Sequence, residues 1–149
     1  MAAPKWRRTV GTVDWLTSQL PAKSKFQVYA FNTRALALVP GSEGRWLEAD
    51  DANALSGVLR ELRGTVPQDG TSIENAFTAA MALAPRPDNI ILVTDGLPTQ
   101  GAAPPAVKRT VDGEARLRLF ERAIAKLPAS IPVNVILLPM EGDPMAPAA

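Results

Sequence analysis

The feature that constrains this chain most is a run of five residues at positions 90–94, Ile-Ile-Leu-Val-Thr, which is apolar on both faces. A strand with one face in water alternates apolar and polar residues, whereas a strand covered on both faces is a continuous apolar run. Such strands lie in the middle of parallel sheets with helices on either side. Residues 132–138 have the same character, so the sequence predicts two buried strands.

Amphipathic helices are predicted around these strands. Four segments carry apolar residues at helical spacing: residues 6–20, the stretch from a cap at Asp50 or Asp51 to Gly64, the stretch from Thr71 to Pro85, and residues 114–127. Residues 25–32 and 35–39 predict an antiparallel hairpin. The alternation of strands and helices favours an α/β fold with a mostly parallel sheet.

Several side chains have a predicted place in this arrangement. Leu117 and Ile124 belong to the inward stripe of the last helix, and Trp6 and Trp15 should pack the first helix onto the core. Trp46 is expected to anchor the loop at residues 41–50.

Composition excludes several functions. The 149 residues contain no Cys and no His, which removes Ser-His-Asp relays, thiolate nucleophiles and the usual zinc sites. Sixteen Lys and Arg residues balance fifteen Asp and Glu residues, so a nucleic-acid partner is not expected. No signal peptide, transmembrane segment or other membrane-inserting run is visible, and the compartment stays open.

Two short polar motifs are candidates for a site. Thr94, Asp95 and Gly96 follow the strand at 90–94, and ligands of such sheets bind at the carboxyl ends of strands. Gly70 and Thr71 enter the helix that leads into this strand. Each motif also has a purely structural interpretation, since Asp95 can cap a turn and Thr71 with a glutamate three residues later fits a capping box.

Together, residues 25–32, Gly70-Thr71 and the run Leu-Val-Thr-Asp-Gly at 92–96 resemble the von Willebrand factor A domain in order and spacing. The resemblance implies a doubly wound, Rossmann-like α/β fold, with one antiparallel edge strand and helices on both faces of the sheet. It also implies protein binding without catalysis, through Mg²⁺ or Mn²⁺ shared with an acidic residue of a partner protein. Thr71 and Asp95 would be metal ligands, and the residues expected to touch the partner are Gly70, Gly96, Leu97, Pro98 and Thr99.

This sequence departs from the family pattern at its beginning. The family takes three further ligands from an Asp-x-Ser-x-Ser motif after its first strand, and no such motif is present. The missing strand would be the central one, between residues 25–32 and 90–94. We therefore expect a partial domain at 1–138, incomplete at both ends, and a Pro- and Ala-rich tail at 139–149 that continues into further sequence.

Two alternatives remain open. A metal-free scaffold of the same fold could bind a partner through the long loop at 97–111. A Mg²⁺-dependent phosphotransfer enzyme is suggested by Asp69-Gly70-Thr71, which resembles the end of the haloacid dehalogenase signature, but Pro67 stands where the nucleophile belongs.

Overall fold

The computed structural model describes residues 3–67, 70–103 and 112–139, and these form a mixed α/β structure. The helices are α1 (Ala3–Ser18), α2 (Ala52–Gly64), α3 (Ile73–Met81) and α4 (Gly113–Ile124). The strands are β1 (Lys25–Phe26), β2 (Tyr29–Phe31), β3 (Ala35–Ala37), β4 (Leu47–Glu48), β5 (Ile90–Thr94) and β6 (Val133–Leu137). None of the helices in the described ranges is long and apolar enough to cross a membrane. Most of the predicted tail, and residues 104–111 of the predicted loop, lie outside these ranges.

The strands form three separate pairs. β5 and β6 are parallel, and β2 and β3 form the predicted antiparallel hairpin. β1 pairs with β4 in antiparallel fashion, and β4 lies in a stretch predicted to be a loop. The described residues form a mixed α/β structure without the expected mostly parallel sheet, since only one of their three strand pairs is parallel and no pairing joins β2 to β5.

The predicted strand at residues 25–32 is interrupted at Gln27. Its side-chain amide donates to the backbone oxygens of Ser42 and Arg45, both at 2.9 Å, and its Oε1 accepts the N–H of Val28. A local side-chain bond of this kind competes with regular strand pairing. The chain therefore pairs first with β4 and then, two residues later, with β3.

Two hydrophobic clusters lie on opposite sides of β2. Ala30 packs against the cluster between α1 and α2, which includes Val13 and Val58. Phe31 packs against the cluster between α3, α4 and β5, which includes Phe77. Neighbouring side chains of a strand point to opposite faces, so β2 is covered by helices on both faces.

The aromatic predictions have mixed outcomes. Trp6 fixes α1 to α2, because its Nε1 donates to the carbonyl of Leu62 at 3.0 Å. Trp46 anchors its loop through an Nε1 bond of 2.8 Å to the carbonyl of Pro85. The prediction for Trp15 is wrong, because its side chain is 62% exposed.

The apolar residues near β6 are also less covered than expected. Leu117 and Ile124, predicted to face inward, are 46% and 37% exposed, and Val135 and Leu137 of the predicted buried strand are each 47% exposed. β6 pairs only with β5 in the described structure, so one of its edges has no neighbouring strand there. An outer strand lacks the cover that a central strand receives from both sides.

Candidate functional site

Thr71 and Asp95 lie on the wall of one cavity of about 800 Å³. Residues of β2 and β5 line the same cavity. Asp95 directly follows β5, and Thr71 lies two residues before α3. That both side chains project into one crevice stays a prediction.

The capping interpretation of Thr71 is wrong by one residue. Ser72 is the N-cap of α3: its hydroxyl accepts the N–H of Asn75 at 3.2 Å. The Ser72 hydroxyl also donates to the carbonyl of Gly101 and is fully buried, which explains why the cap falls here. Among the hydrogen bonds of the described residues, none uses the Thr71 hydroxyl, so it remains available to a ligand.

The backbone of residues 70–72 joins the carboxyl ends of β2 and β5, and we call this segment the carboxyl-end bridge. On one side, Ser72 N–H donates to the carbonyl of Asn32 at 2.7 Å. On the other side, Thr71 N–H donates to Oγ1 of Thr99 at 2.7 Å, and the Thr71 carbonyl accepts the N–H groups of Thr99 and Gln100. These bonds fix Thr71 relative to the loop that follows β5.

Gly70 allows this close approach. A Cβ atom placed on Gly70 would lie 2.7 Å from Oγ1 of Thr99, the same oxygen that accepts the Thr71 N–H. Real Cβ atoms do not come so close to an oxygen, so a side chain here would displace Thr99. The role of Gly70 in this structure is therefore to let the bridge contact the loop.

Asp95 forms an ion pair with α1. Its Oδ2 lies 3.7 Å from Nζ of Lys5, with the two side chains 30% and 17% exposed. The turn after β5 is held by Thr94 instead: the Thr94 hydroxyl donates to the carbonyl of Gly96 and accepts the Gly96 N–H. The capping interpretation of Asp95 is thus unnecessary, and its carboxylate faces a cation at the end of the cavity.

The described residues of the chain do not form a divalent-cation site by themselves. The described ranges contain no group of three or more acidic, His or Cys side chains that could hold a metal ion. Mg²⁺ requires nearly octahedral oxygen coordination, and Thr71 with Asp95 supply two side chains. Lys5 already balances the charge of Asp95, so any cation here would need further ligands from beyond the described residues.

The residues expected to touch a partner have different environments. Pro98 is fully buried and supports its loop from inside. Gly96, Leu97 and Thr99 are half-buried, and Thr99 uses its hydroxyl internally as the acceptor for Thr71. Gly70 is half-buried as well, so the accessible part of the predicted partner surface consists of Gly70, Gly96 and Leu97 with the outer atoms of Thr99.

Glu74 is a buried acid that the sequence analysis assigned only to a capping box. It is 3% exposed, and its carboxylate accepts the N–H of Ala102 and lies 3.5 Å from Lys126 and 3.9 Å from Arg122 of α4. Arg122 lies in the last turn of α4 and Lys126 in the turn that follows it, so both cations approach Glu74 from the end of this helix. Glu74 positions the loop after the site against two helices.

Neither the protein-family models nor the curated proteins that were searched give a match to this chain.

Proposed function

We propose that this chain is a protein-binding module of the von Willebrand factor A type, whose doubly wound sheet is completed by sequence outside the 149 residues. The observation that carries the proposal is that Thr71 and Asp95 both line the cavity that residues of β2 and β5 also line. β5 and β6 are parallel and β2 has helices on both faces, as this fold requires.

The side-chain oxygens of Thr71 and Asp95 support cation-dependent adhesion. Thr71 presents a hydroxyl that is not used as a cap, and Asp95 presents a carboxylate that already attracts a cationic group. Both are hard oxygen donors of the type that Mg²⁺ and Mn²⁺ prefer. In the proposed module the cation is bound by these two groups together with ligands from an added segment. An acidic residue of the partner protein then binds to the same cation.

The test extends the chain at its N-terminus with an apolar strand ending in Asp-x-Ser-x-Ser and compares its thermal unfolding in Mg²⁺ and in EDTA. We expect Mg²⁺ to raise the Tm of the extended chain, because a ligand that binds only the folded state stabilises it. Asp95→Ala should abolish the shift, whereas Asp14→Ala, which removes an exposed carboxylate from α1, should leave it intact. Equal Tm values in Mg²⁺ and EDTA would refute cation binding.

A metal-free scaffold is the second candidate, and the ion pair between Lys5 and Asp95 favours it. An ammonium group can neutralise this carboxylate without any metal. Lys5→Ala separates the candidates: in the extended chain it should enlarge the Mg²⁺ shift if Asp95 is a ligand, because the competing cation is gone. If the scaffold candidate is correct, Lys5→Ala will show no Mg²⁺ shift at all. Lys23→Ala, which removes an exposed ammonium group, is the control.

A further inference from the structure

The loop at residues 99–102 is held against the start of α3 by hydrogen bonds. The N–H of Gln100 donates to the carbonyl of Thr71 at 3.1 Å. One residue further along each segment, the Ser72 hydroxyl donates to the carbonyl of Gly101 at 2.8 Å. These bonds fix the backbone of the loop, so a polar side chain that the loop presents is positioned at a small cost in conformational entropy.

Gln100 is a buried polar residue of this loop, since only 9% of its surface is exposed. Its backbone N–H is bonded, but no hydrogen bond within residues 3–67, 70–103 and 112–139 uses its side-chain amide. In the same ranges its amide atoms are not among the side-chain atoms that are both unpartnered and fully enclosed, so they are open to solvent. A molecule outside the chain can therefore reach this carboxamide.

The carboxamide of Gln100 lies beside the backbone of Gly70. Its Oε1 is 3.5 Å from the point where a Cβ on Gly70 would stand, and Oγ1 of Thr99 is 2.7 Å from the same point. Thr71 follows Gly70 directly, and its hydroxyl is likewise unused in the part of the chain that the structure describes. A carboxamide and a hydroxyl without protein partners thus belong to two residues whose backbones are bonded to each other.

An unused carboxamide in a mostly buried side chain is unfavourable for the fold alone. Buried polar groups are almost always hydrogen-bonded, because transfer out of water without a new partner costs free energy. Gln27 shows the usual arrangement in this chain, since its amide donates to the carbonyls of Ser42 and Arg45. The contrast between Gln27 and Gln100 indicates that the carboxamide of Gln100 serves a partner outside the chain.

The chemistry of the carboxamide indicates what that partner offers. A Gln side chain carries one carbonyl acceptor and two N–H donors and has no charge. A complementary group contains both an N–H and a C=O, as the peptide group of a polypeptide main chain does. The adjacent residues Gly70, Thr71 and Thr99 are uncharged as well, which favours a neutral ligand over an ion.

We propose that Gln100 is a binding residue for a main-chain peptide group of a partner protein. Its Nε2 donates to the partner's carbonyl, and its Oε1 accepts the partner's N–H. Gln100 is not one of the residues that the sequence predicted to touch a partner. The inference rests on the proposed function only in taking the ligand to be a protein. It involves no cation and no added strand, so the 149-residue chain by itself is the object of the test.

The test is an NMR titration of the whole chain in EDTA with acetyl-Gly-Gly-Gly-N-methylamide, a neutral probe that offers peptide groups alone. We expect saturable shifts of the side-chain NH₂ signals of Gln100 and of the backbone N–H signal of Gly70. Gln19, whose carboxamide is exposed after α1, is the internal reference and should show no saturable shift. Absence of a saturable shift at Gln100 would overturn the site, whether or not Mg²⁺ raises the Tm of the extended chain.

A second probe tests whether Gln100 accepts the N–H of the peptide group. In the fully N-methylated analogue of the first peptide, every N–H is replaced by N–CH₃ while the carbonyls remain. We expect this analogue to bind about fivefold more weakly or less, because one hydrogen bond is lost. Equal binding of the two probes would overturn the two-point pairing with a peptide group.

Two glutamine variants separate binding from folding. Gln100→Leu removes the carboxamide, and we expect an unchanged or higher Tm together with loss of the peptide-induced shift at Gly70. Gln27→Leu is the matched control: it removes a carboxamide that is bonded within the chain, so the Tm should fall while the shifts at Gln100 persist. A fall in Tm for Gln100→Leu as large as that for Gln27→Leu would show a structural role and overturn the proposal. A peptide-induced shift at Gly70 that persists in Gln100→Leu would overturn it as well.

Discussion

The two faces of β5 differ although the strand is apolar throughout. On one face the side chains of Leu92 and Thr94 are buried, and Leu92 belongs to the hydrophobic cluster of Phe77. On the opposite face the side chain of Ile91 is 43% exposed. Successive side chains of a strand point to opposite faces, so the burial of each apolar residue in β5 depends on what packs against its own face.

The largest predicted loss of stability distinguishes Leu92 from its neighbour Ile91, which points to the opposite face of β5. Leu92 is 4% exposed and packs with Phe77, so Leu92→Ala should lower the free energy of unfolding by ~2–5 kcal/mol. Ile91→Ala removes a side chain that is already partly in water and should cost only about 1 kcal/mol. Urea unfolding of both variants measures the difference. Equal losses of unfolding free energy would show that the face of β5 that carries Ile91 is as well packed as the face that carries Leu92.

An intermediate effect is expected where the carboxyl-end bridge closes the cavity. Gly70→Ala pushes Oγ1 of Thr99 away from the Thr71 N–H, and an unpaired, partly buried N–H should lower stability by ~1–3 kcal/mol. Gly11→Ala is the matched control, because no atom lies within 4 Å of its added Cβ in α1. That change should instead stabilise the helix by ~1 kcal/mol. Destabilisation of similar size at both positions would contradict the steric role of Gly70.

The smallest predicted effect separates Ser72 from Thr71. Ser72→Ala removes the N-cap of α3 and should cost about 1 kcal/mol. Thr71→Ala should cost less, since the Thr71 hydroxyl caps nothing. Thermal unfolding in EDTA is the measurement, because it excludes any contribution of a cation. A larger loss of stability for Thr71→Ala than for Ser72→Ala would show that Thr71 is the cap, as the capping box in the sequence suggests.

Much of the secondary structure could be predicted because its causes are local. The apolar run at β5 and the helical spacing in α2 identify their elements without any neighbour, and Asp51 caps α2 with bonds to Asn53 and Ala54, residues close in sequence. The hairpin of β2 and β3 also depends on a short turn. The candidate residues Thr71 and Asp95 were predictable because they occupy the ends of these elements.

Other features could not be predicted because they depend on contacts between distant segments. Gln27 interrupts its strand because Ser42 and Arg45 offer acceptors to its amide. Ser72 is a better cap than Thr71 because the carbonyl of Gly101, 29 residues away, accepts its hydroxyl. Trp15 is 62% exposed, whereas Trp6 reaches the carbonyl of Leu62, 56 residues away in the sequence.

By itself the sequence determined that this protein is an α/β chain with apolar strands, that its polar candidates stand at strand and helix ends, and that His- and Cys-dependent chemistry is absent. Periodicity, capping and composition are properties of short segments and need no partner. Only the tertiary structure decided that β2 and β5 stay apart around a cavity, that Lys5 meets Asp95, and that Thr71 is free of a capping role. These outcomes depend on which segments pack together, and packing is set by the whole chain.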